Sequence, residues 1–275
     1  GYRPRTQQRL RLGVDKRRAL VAIGQDANGK TSRFEDFTEH LVEWSGMLYQ
    51  CDNVALSYRL APLDVYTPQD MRAPGAGSGV LASECAMDEL ASAAGLDPVE
   101  LRKRNFASHN GNEGKPYSSK ELLACYEQGA ERFGWARRQA TPGSMRDGNQ
   151  RIGWGMAGGV WEAMQMKASA KASLDSAGHL TVSSATTDIG TGTYTVMTQI
   201  AADAAGIDVG NVNFKLGDSS LPTAPLQGGS FISSSAGSAA RHACFPFSAR
   251  LPFRVRPPSP APLRVVVRPA PRGAG

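Results

Sequence analysis

The chain predicts an α+β fold, and three observations carry that expectation. Stretches with two-residue alternation recur along it, stretches with helical spacing fall between them, and their order follows no regular strand–helix–strand rhythm. Size permits such a fold: 275 residues with 41% hydrophobic content can bury one large core or two ordinary ones.

Taken in order, residues 8–23, QRLRLGVDKRRALVAI, alternate on either side of a GVDKRR turn and read as two paired strands. Residues 53–68, NVALSYRLAPLDVYTP, form another strand-rich piece closed by a proline. The small-residue stretch MRAPGAGSGV reads as a turn before a helix from about Ser83 to Ala94. That helix puts Met87, Leu90, Ala91 and Ala94 on one face and ends at Gly95, a good C-cap. Asp97 then serves as N-cap, with Pro98 at the first helical position and Glu100 completing a capping box, so a second short helix follows. A third is read in SSKELLACYEQGAERFGW, with Ser118 and Glu121 as its capping box and Leu122, Tyr126, Ala130 and Phe133 along one side.

Residues 136–151, ARRQATPGSMRDGNQR, are polar and rich in turn formers, which places a linker at 141–152 between one domain over 1–140 and another over 153–240. In the second, MQMKASAKASLDSAGHLTVSSATTD alternates on both sides of DSAG and reads as a hairpin. A helix from about Tyr194 to Ala205 ends at Gly206, and NVNFKLGD alternates again, with Val212, Phe214 and Leu216 on one face. The last segment, 241–275, lacks Asp, Glu, Lys and most other polar residues and is dominated by Arg, Pro, Ala and Val. Its restricted alphabet is what a shifted GC-rich reading frame would give; a Pro-rich linker or a basic arm is the alternative.

The net charge of +6 comes from that segment, whose seven arginines, removed from the 31 basic residues, leave 24 against 25 acidic ones. A phosphate-seeking body is thereby excluded, because the charge is not spread over it. Cysteines stand at 51, 85, 125 and 244 with no C-x-x-C pair, so zinc ribbons and cysteine-held iron–sulfur clusters have no signature, and a reducing compartment is expected. No apolar run approaches the ~20 residues of a membrane span.

Three Gly-rich loops hold the remaining chemistry. TDIGTGTYT, 187–195, is a strand–turn–helix start of the kind that gathers backbone N–H groups and a helix dipole on an anion. Gly190 and Gly192 allow close backbone approach, and Thr193 and Thr195 add hydroxyl donors and can cap the helix. The loop lacks the P-loop lysine and is not G-x-G-x-x-G, so ATP and NAD gain no specific support; a Thr-capped helix after a tight turn is the bland alternative. MRAPGAGSG, 71–79, and the serine-rich run at 217–240 are the other two, each readable singly as a solvated loop.

Together these segments carry a resemblance. MRAPGAGSGVLASECAMDELASAAGLDPVELRKRNF, DIGTGTYTVMTQIAADAAGI and LGDSSLPTAPLQGGS followed by SSSAGSA, with GYRPRTQQRLRLGVD before them, resemble the molybdopterin-binding subunit of the xanthine dehydrogenase and aldehyde oxidase family, of the bacterial aldehyde-oxidising type, over about residues 1–240. The resemblance implies parts of two consecutive molybdopterin-binding domains and a molybdenum hydroxylase acting on aldehydes or N-heterocycles with water as oxygen source. The implied cofactor is a molybdopterin, the cytosine dinucleotide form being one version of it, with iron–sulfur clusters and FAD on partner subunits. Neither nucleic acid nor membrane is an expected partner, and the expected place is the cytoplasm, or the periplasm by co-export with a partner subunit.

By motif, the resemblance sets Arg72 and Ala73 beside the metal and dithiolene. It sets Gly190, Thr191, Gly192 and Thr193 at the cofactor's phosphate-bearing end, and Ser234, Ser235, Gly237 and Ser238 on the pterin. The family usually has glutamine where this chain has Thr191, and the shorter hydroxyl reaches less far. The family's GGGFGGK-type loop and the glutamate of its GxGE motif have no counterpart, so no catalytic residue and no metal ligand is assigned. Glu84 and Glu89 are expected at a helix surface or end. The implied polypeptide is an internal fragment, inactive by itself, with a disordered, frame-shifted end over 241–275. A rival reading makes it a non-catalytic remnant that binds nucleic acid or an acidic surface through that end, with steep salt dependence. A third makes it a generic nucleotide binder.

Overall fold

The computed structural model describes residues 1–250 and 263–267. It divides into two units, Gly1–Trp161 and Glu162–Gly275.

In the first unit, alternation makes a sheet. Thr6–Val14 (β1) and Leu20–Ser32 (β2) pair antiparallel across the GVDKRR turn, with Leu12 opposite Ile23 and Leu10 opposite Gln25. Gln7, Arg9 and Arg11 face water, while Ile23, Gln25 and Ala27 face inward. After the one-turn helix Ser45–Leu48 (α1), Val54–Leu63 (β3) runs parallel to β2, which gives the order β1-β2-β3.

The next helix, Ala76–Ala93 (α2), begins well before the expected Ser83. Ala76, Gly79 and Ser83 continue the buried face of Met87 and Ala91, so most of GAGSG is helix and not turn. Its glycines serve close packing: a Cβ on Gly79 would lie 1.9 Å from the Leu41 carbonyl oxygen. The helix ends as expected, with Gly95 at φ +63° and the Leu96 N–H on the Ala91 carbonyl at 2.9 Å. Pro98–Arg104 (α3) is capped by Asp97, which accepts from the N–H groups of Val99 and Glu100 at 2.9 and 3.3 Å. Glu100 does not complete the box; it pairs with Arg104 at 3.8 Å.

His109–Asn110 (β4) and Lys115–Pro116 (β5) make a small hairpin before Leu122–Phe133 (α4). The expected capping box of Ser118 and Glu121 is not formed, since Glu121 caps α4 without a side-chain hydrogen bond. Instead Lys120 anchors the entry to α4, donating to the Ala107 carbonyl at 2.7 Å with its ammonium over the rings of Phe106 and Tyr117. The expected linker holds a short hairpin, Arg146–Asp147 (β6) with Gln150–Arg151 (β7). Leu20, Ile23, Leu48, Tyr49, Met87, Ala91 and Leu101 form the main core of this unit.

In the second unit, Ala170–Leu174 (β8) and Leu180–Ser183 (β9) are the expected hairpin. Thr193–Ala205 (α5) ends at Gly206 with φ +68°, also as expected. Val212–Lys215 (β10) then lies parallel to β9, so β9, α5 and β10 form one strand–helix–strand unit. Alternation predicts the strand and cannot give its direction.

The last helix, Ile232–Arg250 (α6), passes the boundary expected at residue 240. Its buried stripe explains why: Ile232, Ala236, Ala239 and Ala240 continue into Ala243, Cys244 and Phe247. Leu263–Val267 (β11) pairs antiparallel with β8 and completes the order β10-β9-β8-β11. The rest of the expected tail lies outside the described residues. Among the described residues no helix is long and apolar enough to cross a membrane. The architecture is α+β, with small mixed sheets and packed helices in both units.

Candidate cofactor-binding site

The loop before α2 is fixed from several sides. Ala73 has φ +54°, a left-handed value that a residue with a Cβ seldom takes. Gly75 has φ +73°, and a Cβ there would fall 1.7 Å from the His40 carbonyl oxygen, so only glycine fits. Arg3 reaches in from the start of the chain, donating to the Arg72 carbonyl at 2.5 Å and the Ala73 carbonyl at 3.2 Å. Behind it stands Glu39, a fully buried carboxylate 2.7 Å from Arg3 Nη1. The Arg72 side chain itself is exposed, and Ala73 packs against Trp44, Met47 and Ala76.

Glu84 corrects the sequence reading, for it is buried and not at the helix surface. Its Oε2 accepts from Arg102 Nε at 2.9 Å and from the Gly158 N–H at 2.5 Å, and its Oε1 accepts from the Tyr49 hydroxyl. Arg102 is wholly buried and also donates to Asp88 at 2.8 Å and to the Pro98 carbonyl at 3.1 Å. Burial opposes the charge on Arg102, yet Tyr49, Glu84 and Asp88 raise its pKa above the ordinary value. Burial pushes the Tyr126 hydroxyl up to about 12, with the Glu84 charge adding to it. This is a structural hub, which ties the segment around Gly158 to α2. A carboxylate so engaged is not poised to take a proton from a ligand.

In the second unit the Gly-Thr turn is built on Asp188. Its Oδ1 accepts from the N–H groups of Gly190 at 2.8 Å and Thr191 at 3.1 Å, and its Oδ2 from Tyr194 at 3.4 Å. The Gly190 N–H chiefly, helped by those of Tyr194, Gly192 and Thr193, holds the Asp188 carboxyl below the usual range against a smaller opposing effect of desolvation. The backbone donors that the sequence reading leaves free are thus turned onto the chain's own carboxylate. Toward solvent the turn offers the Thr191 side chain, its hydroxyl 3.1 Å from that of the buried Thr193, with the Gln227 amide 3.4 and 3.5 Å from the two. Gln227 also accepts from Thr186 at 3.1 Å, so it links the turn before α5 to the loop before α6. Gly190 and Gly192 have φ +97° and +77°, and an added Cβ at either would meet nothing within 4 Å.

The serine-rich run is not a loop at its end, because Ser234, Ser235, Gly237 and Ser238 lie in the first turns of α6. Ser235 Oγ accepts from the Met166 N–H at 2.9 Å, and Ser234 Oγ donates to the carbonyls of Met164 and Phe231. Ser238 donates to the Ser234 carbonyl at 2.6 Å and accepts from Gln165 at 3.3 Å. Gly237 is buried where α6 meets α5; a Cβ there would press on Ile200 at 3.0 Å. These residues hold the extended segment 164–166 on the helix.

The structure therefore brings Thr191, Thr193 and Gln227 together, and separately gathers Ser234, Ser235 and Ser238 around 164–166. Sequence reasoning missed Arg3, Glu39, Asp188 and Gln227. Only Asp188 had a local signal, an Asp two residues before a glycine at a helix start. Among the described residues no group of three or more His, Cys, Asp or Glu side chains could hold a metal ion.

Known proteins match this arrangement in both units. Two family models, each described as a molybdopterin cofactor-binding domain, match residues 1–106 and 128–254. The aldehyde oxidoreductase molybdenum-binding subunit PaoC of Escherichia coli K12 is 38% identical over 88% of this chain and 33% of its own length. The putative xanthine dehydrogenase molybdenum-binding subunit XdhA of the same organism is 29% identical over 81% of the chain and 31% of its own. Among solved structures, the aldehyde oxidoreductase of Desulfovibrio gigas superposes with TM-score 0.72 at 20% identity, covering 96% of this chain and 32% of that one. Quinoline 2-oxidoreductase of Pseudomonas putida 86 gives 0.66 at 20% identity, covering 86% and 34%. The chain carries molybdopterin cofactor-binding domains. It belongs to the family of molybdenum-binding subunits of the aldehyde oxidoreductases and xanthine dehydrogenases, which are oxidoreductases, and spans about a third of the curated relatives it matches. The nucleic-acid or acidic-surface alternative gains no support from these matches.

Proposed function

We propose that this chain is the cofactor-holding portion of an enzyme that hydroxylates aldehydes or N-heterocycles with water as oxygen source and passes electrons to iron–sulfur and FAD partners. The patch joined by Gln227 carries the reading. It unites the Gly-Thr turn with the loop before α6 through neutral hydroxyl and amide groups, beside two glycines that leave open space. Such a donor set suits a large polar, phosphate-bearing group better than a compact anion, since Asp188 already meets the backbone donors of the turn. Thr191, Thr193 and Gln227 would hold the phosphate-bearing end of a molybdopterin, in its cytosine dinucleotide form, with the backbone of Gly190 and Gly192 open beside it. On the same reading the Arg72 and Ala73 backbone would face the metal, and the serine helix start of Ser234, Ser235, Gly237 and Ser238 would support the pterin. When bound, the molybdenum cofactor supplies the redox chemistry, and the chain supplies binding and orientation. None of its carboxylates takes the role of base, and turnover by this chain alone is not expected.

The reading is tested by producing the 275-residue chain in a host that makes molybdopterin and measuring the fluorescence of oxidised pterin released from the purified protein. Pterin should copurify with the wild type and fall in Gln227→Ala and Thr193→Ala at unchanged thermal stability. A wild-type chain free of pterin would overturn it.

A further inference from the structure

We infer that Arg3, backed by Glu39, is a positioning residue for the cofactor loop: it holds Ala73 in its left-handed backbone conformation, and with it the direction in which the Arg72–Ala73 peptide is presented. This rests on the reading that assigns Arg72 and Ala73 to the metal side of the cofactor.

Ala73 is one of the few residues other than glycine with positive φ, at +54°. A conformation of that kind costs of order 1–3 kcal/mol and persists only where surrounding contacts fix it. Here a guanidinium adds to the Gly77 N–H on the Ala73 carbonyl at 3.1 Å and to the packing of Ala73 on Trp44, Met47 and Ala76. Arg3 Nη2 donates to the Arg72 carbonyl at 2.5 Å and Nη1 to the Ala73 carbonyl at 3.2 Å, so the fork grips two successive carbonyls of the unusual peptide pair.

Arg3 is itself held. Glu39, with no exposed side-chain surface, sits 2.7 Å from Nη1, and the Ser78 hydroxyl donates to its other oxygen at 3.3 Å. Gly77 presses from the α2 side, where a Cβ would lie 3.3 Å from the guanidinium carbon. The segment carrying Arg3 is also tied to the stretch that leads into the loop, since the Tyr2 hydroxyl donates to the Tyr66 carbonyl and the Gln69 N–H to the Tyr2 carbonyl at 3.1 Å.

Neither Arg3 nor Glu39 belongs to a helix or to the main core of the first unit. A buried carboxylate that exists to orient an arginine onto two loop carbonyls is a poor way to gain stability, because desolvation cancels much of the attraction. It is a good way to choose one backbone conformation. A lysine at position 3 would keep the charge and lose the fork.

The test uses the full chain produced in a host that makes molybdopterin, with Arg3→Gln, Arg3→Lys, Ala73→Gly and the double change Arg3→Gln with Ala73→Gly. Two quantities are read: amide hydrogen exchange across residues 71–78, and pterin retained per chain. Arg3→Gln should speed exchange in that loop and lower pterin retention roughly tenfold, the usual range for removing a support behind a binding group. Arg3→Lys should behave similarly. Ala73→Gly adopts the left-handed conformation without strain, so in the double variant it should restore much of the retention although the thermal midpoint stays at the Arg3→Gln value. A merely structural Arg3 would show no such rescue, and that result would overturn the proposal. So would unchanged exchange in Arg3→Gln, or faster exchange with pterin retention equal to wild type. If wild type retains no pterin, the underlying reading falls and takes the positioning role with it, whereas the exchange data still report on the clamp.

Discussion

The two loops assigned to the cofactor are held by opposite means. In the first unit the Arg72–Gly79 stretch is locked by charge and by contact: Arg3 on two carbonyls, buried Glu39 behind it, and glycines pressed against the carbonyls of His40 and Leu41. In the second, the Gly-Thr turn and the start of α6 are held by hydroxyls, one amide and a half-buried aspartate, with empty space beside both glycines. Polar, small-residue loops of similar composition thus differ in tolerance. The first loop is finished before any ligand arrives, and the second keeps its donors adjustable.

The sharpest way to break that contrast is at the ion pair that supports the first unit. Arg102→Ala leaves Glu84 buried without its cation and should destabilise that unit by about 3–5 kcal/mol. All four tryptophans, Trp44, Trp135, Trp154 and Trp161, lie in the first unit, so their emission during denaturant unfolding reads this loss alone. A shift below 1 kcal/mol would show the hub to be dispensable.

A matched glycine pair comes next. Gly75→Ala meets the His40 carbonyl at 1.7 Å as well as an unfavourable φ, whereas Gly190→Ala meets only the φ. The second should cost about 1–2 kcal/mol and the first clearly more, by differential scanning calorimetry. Equal costs would mean that the first loop yields as easily as the second.

Ser235→Ala leaves the Met166 N–H without its acceptor, and about 1–3 kcal/mol should be lost from the second unit, with faster exchange of that amide. The smallest effect is in acid. Asp188 has a lowered pKa in the folded state, so its contribution is fully present above the ordinary carboxyl value and is lost as pH falls through the lower, folded one. Stability measured against pH should therefore decline on the acid side, and Asp188→Asn should flatten that limb.

How far the sequence could be read follows from the range of the interactions. Asp97 as a cap, Gly95 and Gly206 as helix ends, and the paired strands on either side of GVDKRR were all legible, because each depends on neighbours within a few positions. GAGSG and SSSAGSA were misread as loops. Their small residues face a carbonyl of Leu41 or the side chain of Ile200, partners far away in the chain. The clamp of Arg3 on Ala73 and the pairing of Glu84 with Arg102 have no local pattern at all. The motifs led to the loops proposed to hold the cofactor; the groups that hold those loops were visible only in three dimensions.

Trp161, the last residue of the first unit, stacks on Trp44 with ring centroids 5.1 Å apart. This contact has a consequence for timing. The early sheet and the first helices can form while the chain is still being made, but the cluster around Trp44 stays open until residue 161 has emerged. Closing so long a loop is slow and comes late, so part of the apolar surface of Trp44 and Met47 stays exposed in the nascent chain until then.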